Sequence, residues 1–172
     1  MTIDEGYLQF EFPMGWQVTK FDEWRFYRNQ FQKVVAGLKA VDIVALSPDK
    51  VVWFIEIKDY RQHPRKKVID LADEVAIKIK DTLAALLPAK INANDDNEKQ
   101  LANIILQAWK IRIILHLEQP KQHSKLFPRA IDPAKIQQKL RQQLKAIDPH
   151  PLVWDRENIP KGTWQVTSKS HS

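Results

Sequence analysis

The sequence predicts an α/β fold, a mixed β-sheet flanked by helices in a single domain over residues 1–172. Three observations predict it. Two short runs rich in Val, Ile, Phe and Trp, Val41–Leu46 and Val51–Lys58, read as buried strands. Val68–Leu87 carries an apolar stripe of Leu71, Ala72, Val75, Ile79, Leu83 and Leu86 at a spacing of three to four, the pattern of an amphipathic helix. The length of 172 residues, 44% of them hydrophobic, suits one domain with a proper core.

The elements follow in order. Tyr7–Phe12 alternates apolar and polar residues and reads as a strand, with Trp16–Phe21 as a second candidate. Trp24–Phe31 interleaves aromatics with arginines. It reads as an amphipathic element with Trp24, Tyr27 and Phe31 on the core side; the competing reading is a surface that stacks bases and contacts phosphates. Gly37 marks a turn into the strand of Asp42. The core motif region then spans residues 38–118. After Lys58, residues 59–67 are a polar, basic connection in which Pro64 blocks a regular helix. The helix over 68–87 is expected to stop at Pro88. Residues 92–97 offer N-cap chemistry for a second helix over about 98–109.

Lys110–Glu118 reads as a further strand. Ile111, Ile113, Leu115 and Leu117 line one face; Arg112, Ile114, His116 and Glu118 line the other, which is expected to be half exposed. Residues 119–133 make a long basic loop with Lys121, Lys125 and Arg129. Residues 134–160 hold a helix over Ala134–Ile147, with Ile136, Leu140 and Leu144 inward, and a last strand, Pro151–Trp154. Residues 161–172 are a polar tail expected to fray.

Composition narrows the function classes. The chain has no Cys, so a disulfide framework and a thiolate metal site are excluded. No apolar stretch is long enough to cross a bilayer, and the first residues lack the pattern of a secretory leader, so a cytoplasmic protein is expected. The formal charge of +6 suits a nucleic-acid partner bound through its phosphates.

The chemistry concentrates at Val41–Lys58, where Asp42, Glu56 and Lys58 interrupt two apolar runs. Charge in such places needs a partner or a metal. Side chains alternate along a strand, so Glu56 and Lys58 share a face with Val52 and Phe54, and Asp42 shares one with Val44 and Leu46. If Leu46 pairs with Val52, Asp42 meets Glu56 and Lys58 is its diagonal neighbour. That register requires a loop of Pro48–Lys50 or Ser47–Val51. A four-residue loop, Ser47–Lys50, would send Asp42 to the opposite face. Opposed carboxylates repel. A divalent cation would relieve that repulsion, Asp and Glu oxygens being hard ligands of the kind Mg²⁺ uses. The metal would activate water, and Lys58 could orient that water or stabilise charge on phosphorus.

At Val41-Asp42-Ile43-Val44-Ala45 and Phe54-Ile55-Glu56-Ile57-Lys58 the chain resembles the PD-(D/E)XK nuclease superfamily, which includes restriction endonucleases and archaeal Holliday junction resolvases. The resemblance implies a restriction-endonuclease-like fold that hydrolyses DNA. It implies that Asp42 and Glu56 bind Mg²⁺ or Mn²⁺, helped by the backbone carbonyl of Ile57, and that Lys58 serves the attacking water. Many members carry a further acid on a helix before the first core strand, for which Glu23 is the nearest candidate and Glu11 another. The stretch Asp59-Tyr60-Arg61 looks like one that faces substrate. Candidate nucleic-acid contacts are Lys39, Tyr60, Arg61, His63, Lys66 and Lys67. A homodimer is a further expectation, because many such enzymes cut two strands as dimers. Two other readings compete: a catalytically inactive nuclease-fold module that binds nucleic acid or protein, and an unrelated small protein in which the motif is accidental.

Overall fold

The computed structural model describes residues 1–34, 37–63, 65–120 and 131–169. The elements run β1 (Thr2–Glu5), β2 (Leu8–Glu11), β3 (Gln17–Lys20), α1 (Arg25–Asn29), β4 (Ile43–Leu46), β5 (Val51–Asp59), α2 (Leu71–Asn92), α3 (Asp96–Ile105), β6 (Lys110–Glu118), α4 (Pro133–Leu144), β7 (Leu152–Trp154) and β8 (Gln165–Ser168). They build a mixed five-stranded sheet in the order β3-β4-β5-β6-β7 and a second sheet, β1-β2-β8. In the large sheet β3, β4 and β5 are antiparallel, whereas β5, β6 and β7 are parallel. The expected α/β architecture is therefore present.

The sheet has two differently covered faces. Val44, Leu46, Val52, Phe54, Ile113, Leu115 and Leu117 pack with the apolar residues of all four helices. Ile43, Ala45, Ile55, Ile57 and Ile114 pack instead against Ile3, Leu8, Phe10 and Val166 of the small sheet. Rings of Phe12, Trp53 and Trp154 lie 5.4–5.7 Å from that of Trp164 in the same layer. Burying a side chain of this size is worth roughly 1.5–3 kcal/mol. A second sheet on this face corrects the expectation that half of β6 is exposed: His116 and Glu118 are buried.

Local chemistry explains most boundaries. Asp70 caps α2 by accepting from Ala72 N at 2.9 Å, and Asp73 and Glu74 favour its first turn. The helix does not stop at Pro88 but continues to Asn92. Ala85, Leu86, Ala89 and Ala93 are buried around the proline, and that packing outweighs one lost backbone hydrogen bond. Asp95 caps α3, which ends at Ile105, earlier than expected. Near the chain's start, Trp24, Phe26 and Tyr27 are buried as an amphipathic element requires, but only Arg25–Asn29 is α-helical, flanked by 3₁₀ turns at Phe21–Glu23 and Phe31–Lys33.

The polar tail is also corrected. Residues 165–168 pair with β2 because Trp164 and Val166 are apolar anchors for the second core. Pro64, Lys121, Lys125 and Arg129 lie outside the described residues. Gln119 and Ile131 are tied to each other: Gln119 Nε2 donates to Ile131 O at 2.9 Å, and Ile131 N donates to Gln119 Oε1 at 2.7 Å. Among the described residues no helix is long and apolar enough to cross a membrane.

Candidate functional site

The β4–β5 hairpin adopts the register in which Leu46 faces Val52 and Val44 faces Phe54. Its loop is Pro48–Lys50. Lys50 N donates to Ser47 O at 2.9 Å, Lys50 takes φ 59°, and Ser47 N donates to Val51 O at 3.0 Å. Asp42, one residue before β4, is thereby carried to the face of Glu56. α2 fixes the approach, since Asp81 Oδ2 accepts from Lys39 N at 2.9 Å and Thr82 Oγ1 accepts from Val41 N at 3.0 Å. Ile57 N donates to Asp42 Oδ2 at 2.7 Å.

Two ammonium groups close this cluster. Lys58 pairs with Glu56 Oε1, and Lys78 of α2 reaches the same oxygen at 2.7 Å and Asp42 Oδ1 at 3.2 Å. Lys58 also lies 3.4 Å from Glu74 Oε1. Glu74, fully buried, takes Lys67 on Oε1 at 2.6 Å and Arg65 on Oε2 at 2.8 Å. Burial, reinforced by the charge of Asp42, pushes the Glu56 carboxyl up to about 7 despite the two lysines. Glu74 goes the other way, to about 2: burial opposes this, but the hydrogen bonds from Lys67 and Arg65 outweigh it. Lys58 and Lys78 are both raised; burial would lower them, and Glu56 more than compensates.

The sequence brings Asp42, Glu56 and Lys58 together but misses three members. Glu74 and Lys78 flank the apolar stripe of α2, where long side chains are ordinarily solvated; here they turn inward along the sheet. Asp22 is the third. Burial and then the charge of Asp42 lift its carboxyl to about 6, and its Oδ1 is buried without a hydrogen-bond partner. Its neighbour Glu23, the expected further acid, instead pairs with Lys20 at 2.9 Å and leaves half its side chain in solvent. Glu11 is exposed at the end of β2.

The expected nucleic-acid contacts divide. His63, Lys66 and Lys67 are exposed; Lys39 and Tyr60 are partly buried, and Tyr60 OH accepts from Arg65 at 3.0 Å. Arg61 turns to the other side of the sheet, bound through Nε and Nη2 to Asp59 at 2.8 and 2.6 Å. There, Glu118 Oε1 accepts from Arg156 N at 2.9 Å and lies 3.1 Å from His116 Nε2. Ser168 Oγ of β8 accepts from Arg61 at 2.5 Å and from Arg156 at 2.6 Å.

For Mg²⁺ or Mn²⁺ the donors present would be Asp42 and Glu56 with the Ile57 carbonyl; in this arrangement Lys78 bridges the two carboxylates and Ile57 N donates to Asp42 Oδ2. Among the described residues no three His, Asp or Glu side chains converge as a metal site. Glu56 Oε2 alone remains buried without a partner in the carboxylate pair. As described, the cluster pairs its charges internally and ties the ends of β4 and β5 to α2.

No family model matches the chain, and no solved structure matches it. Over 165 residues it is 35% identical to a cysteine–tRNA ligase of Neisseria meningitidis serogroup A, an alignment that covers 78% of this chain and 24% of that protein. The chain thus spans about a quarter of the length of the curated relative it matches. This likeness overturns the expectation of metal-dependent DNA hydrolysis: the similarity runs to a cysteine–tRNA ligase and not to a DNA nuclease.

Proposed function

We propose that this chain is a tRNA-binding domain that serves aminoacylation by holding tRNA, and that it acts in the cytoplasm, where tRNA is charged. The observation that carries the proposal is the 35% identity to part of a cysteine–tRNA ligase. Because the likeness covers a quarter of that protein, tRNA contact is carried over and the ligation reaction is not. The formal charge of +6 favours a phosphate-rich partner. Exposed Lys66 and Lys67 stand beside the charged cluster, and Lys135, Arg141 and Lys145 lie on the outer side of α4. The resemblance to the PD-(D/E)XK superfamily enters this proposal as a likeness of scaffold, supported by the placement of Asp42 opposite Glu56.

Fluorescence anisotropy with labelled tRNA and with a DNA duplex of equal charge, across a salt series, tests the proposal. The expected result is tighter binding of tRNA, weakening steeply with salt, and a several-fold loss in Lys66→Glu/Lys67→Glu. Failure to bind tRNA, or equal affinity for the DNA duplex, would overturn it.

A further inference from the structure

At the opposite end of β5 from the charged cluster, Trp109 has an arrangement that folding alone does not require. The residue is 69% exposed, although a large apolar ring is ordinarily worth burying. The ring is nevertheless held in place. Its Nε1 donates to Asp49 O at 2.8 Å, and its backbone N donates to Lys50 O at 3.2 Å. The hairpin loop and the start of β6 therefore present a preoriented indole to solvent.

Positive charge surrounds it. Lys110 Nζ lies 5.6 Å from the Trp109 ring centroid, and Lys50 and Lys110 are both exposed. A groove of about 390 Å³ runs from Trp109 past Arg112 to Asp148, Pro149 and His150. Asp148 brings the opposite charge, but it is buried and already engaged, accepting from Ile113 N at 2.8 Å and His150 N at 2.9 Å with Arg112 3.5 Å away. Asp49 is exposed, and its carboxylate accepts from Ser47 Oγ. A held, exposed ring with exposed lysines beside it in the fold is a combination that binds single-stranded nucleic acid: bases stack on the aromatic face and phosphates meet the lysines. The indole is prepared for contact at little entropic cost, because its rotamer is already fixed.

We propose that the groove at the amino ends of β5 and β6 binds an unpaired segment of RNA, stacking a base on Trp109 with the adjoining phosphates on Lys50 and Lys110. The inference rests on the tRNA-binding reading for its class of ligand and adds a second contact region to it. At about 3.3 Å per strand residue, this region is roughly 20 Å from Glu56, so one RNA molecule can span both.

The test uses fluorescence anisotropy with labelled hexa-adenylate and, separately, labelled tRNA on wild type, Trp109→Ala and Trp109→Phe. Trp109→Ala is expected to bind hexa-adenylate about tenfold more weakly or worse, and Trp109→Phe to stay within about threefold of wild type. Equal binding by Trp109→Ala and wild type overturns the inference. So does an equal loss in both variants, because the tie to Asp49 rather than stacking would then be the cause. Wild type that binds tRNA but not hexa-adenylate overturns this inference and leaves the proposed function standing. Wild type that binds hexa-adenylate but not tRNA does the reverse, and binding of neither removes both. A wild-type dimer that Trp109→Ala dissolves, read by light scattering, would assign the platform to a second copy of the chain and also overturn it.

Discussion

On the helix-covered face of the large sheet, Glu56 is held by two ammonium groups, one from its own strand and one from α2. On the other face, at the same end of the neighbouring strand, Glu118 accepts from a backbone N–H, with an imidazole 3.1 Å away and a guanidinium 3.9 Å away. The two carboxyls respond differently. Burial and Asp42 raise Glu56, whereas contacts with His116 and Arg156 lower Glu118 against the burial that would raise it. The difference shows that burial alone does not set the state of a carboxyl. A second carboxylate alongside tips the balance one way, and directed donors tip it the other.

The comparison breaks most severely at Lys78. Lys78→Met keeps the aliphatic stem but leaves Asp42 and Glu56 facing each other without their shared cation. A loss of about 3 kcal/mol is expected in urea unfolding near neutral pH. The loss should shrink at lower pH as Glu56 takes up a proton. A loss below about 1 kcal/mol would show that Lys78 is not the counter-ion. Glu118→Ala removes the acceptor of Arg156 N and the partner of His116, for which about 2 kcal/mol is expected by the same measurement. A smaller loss there than for a typical surface substitution would mean that water replaces the carboxylate.

The pH dependence of the wild type sharpens the contrast with a smaller effect. Glu56 at about 7 and Asp22 at about 6 both lie above their ordinary values. Between those ordinary values and the raised ones, the folded state holds more protons than the unfolded state. Stability contributed by these two groups is therefore fully present below the unfolded values and is lost as pH rises toward 7. Glu74, held near 2, has the opposite sign, and its contribution is lost only as pH falls from its ordinary range through about 2. The urea midpoint is expected to be higher near pH 5.5 than near pH 8, a difference in unfolding free energy on the order of 1 kcal/mol. A midpoint that climbs across that interval would reverse the assignment of Glu56 and Asp22.

Much of the fold was legible because side-chain alternation is a local property. The apolar positions of β5 and β6 and the stripe on α2 follow from counting residues along one segment. The pairing of Asp42 with Glu56 does not: it turns on the length of the hairpin loop, which the sequence left open and the register of Leu46 with Val52 decides. What was hidden depends on a second segment. α2 passes Pro88 because Ala89 and Ala93 have a buried surface to pack against. Lys78 and Glu74 turn inward because the sheet offers them charged partners, which no helical periodicity records. Asp22 rather than Glu23 approaches Asp42 because the 3₁₀ turn after β3 rotates the chain there, a matter of one residue. The charge trio was visible, but its use was not: a short motif specifies who meets whom, and the likeness to part of a cysteine–tRNA ligase tells against DNA hydrolysis as the purpose.

The strand β8 carries a consequence for how the molecule assembles. Leu8 pairs with Ser168, so the small sheet joins segments from nearly opposite ends of the described chain. Closing so long a loop costs entropy before its contacts return anything. The hairpin β4–β5 closes over a few residues and can form early, whereas the layer around Trp164 must wait for both distant segments. The aromatic side of the protein is thus expected to form after the charged side, whose hairpin is the more local structure.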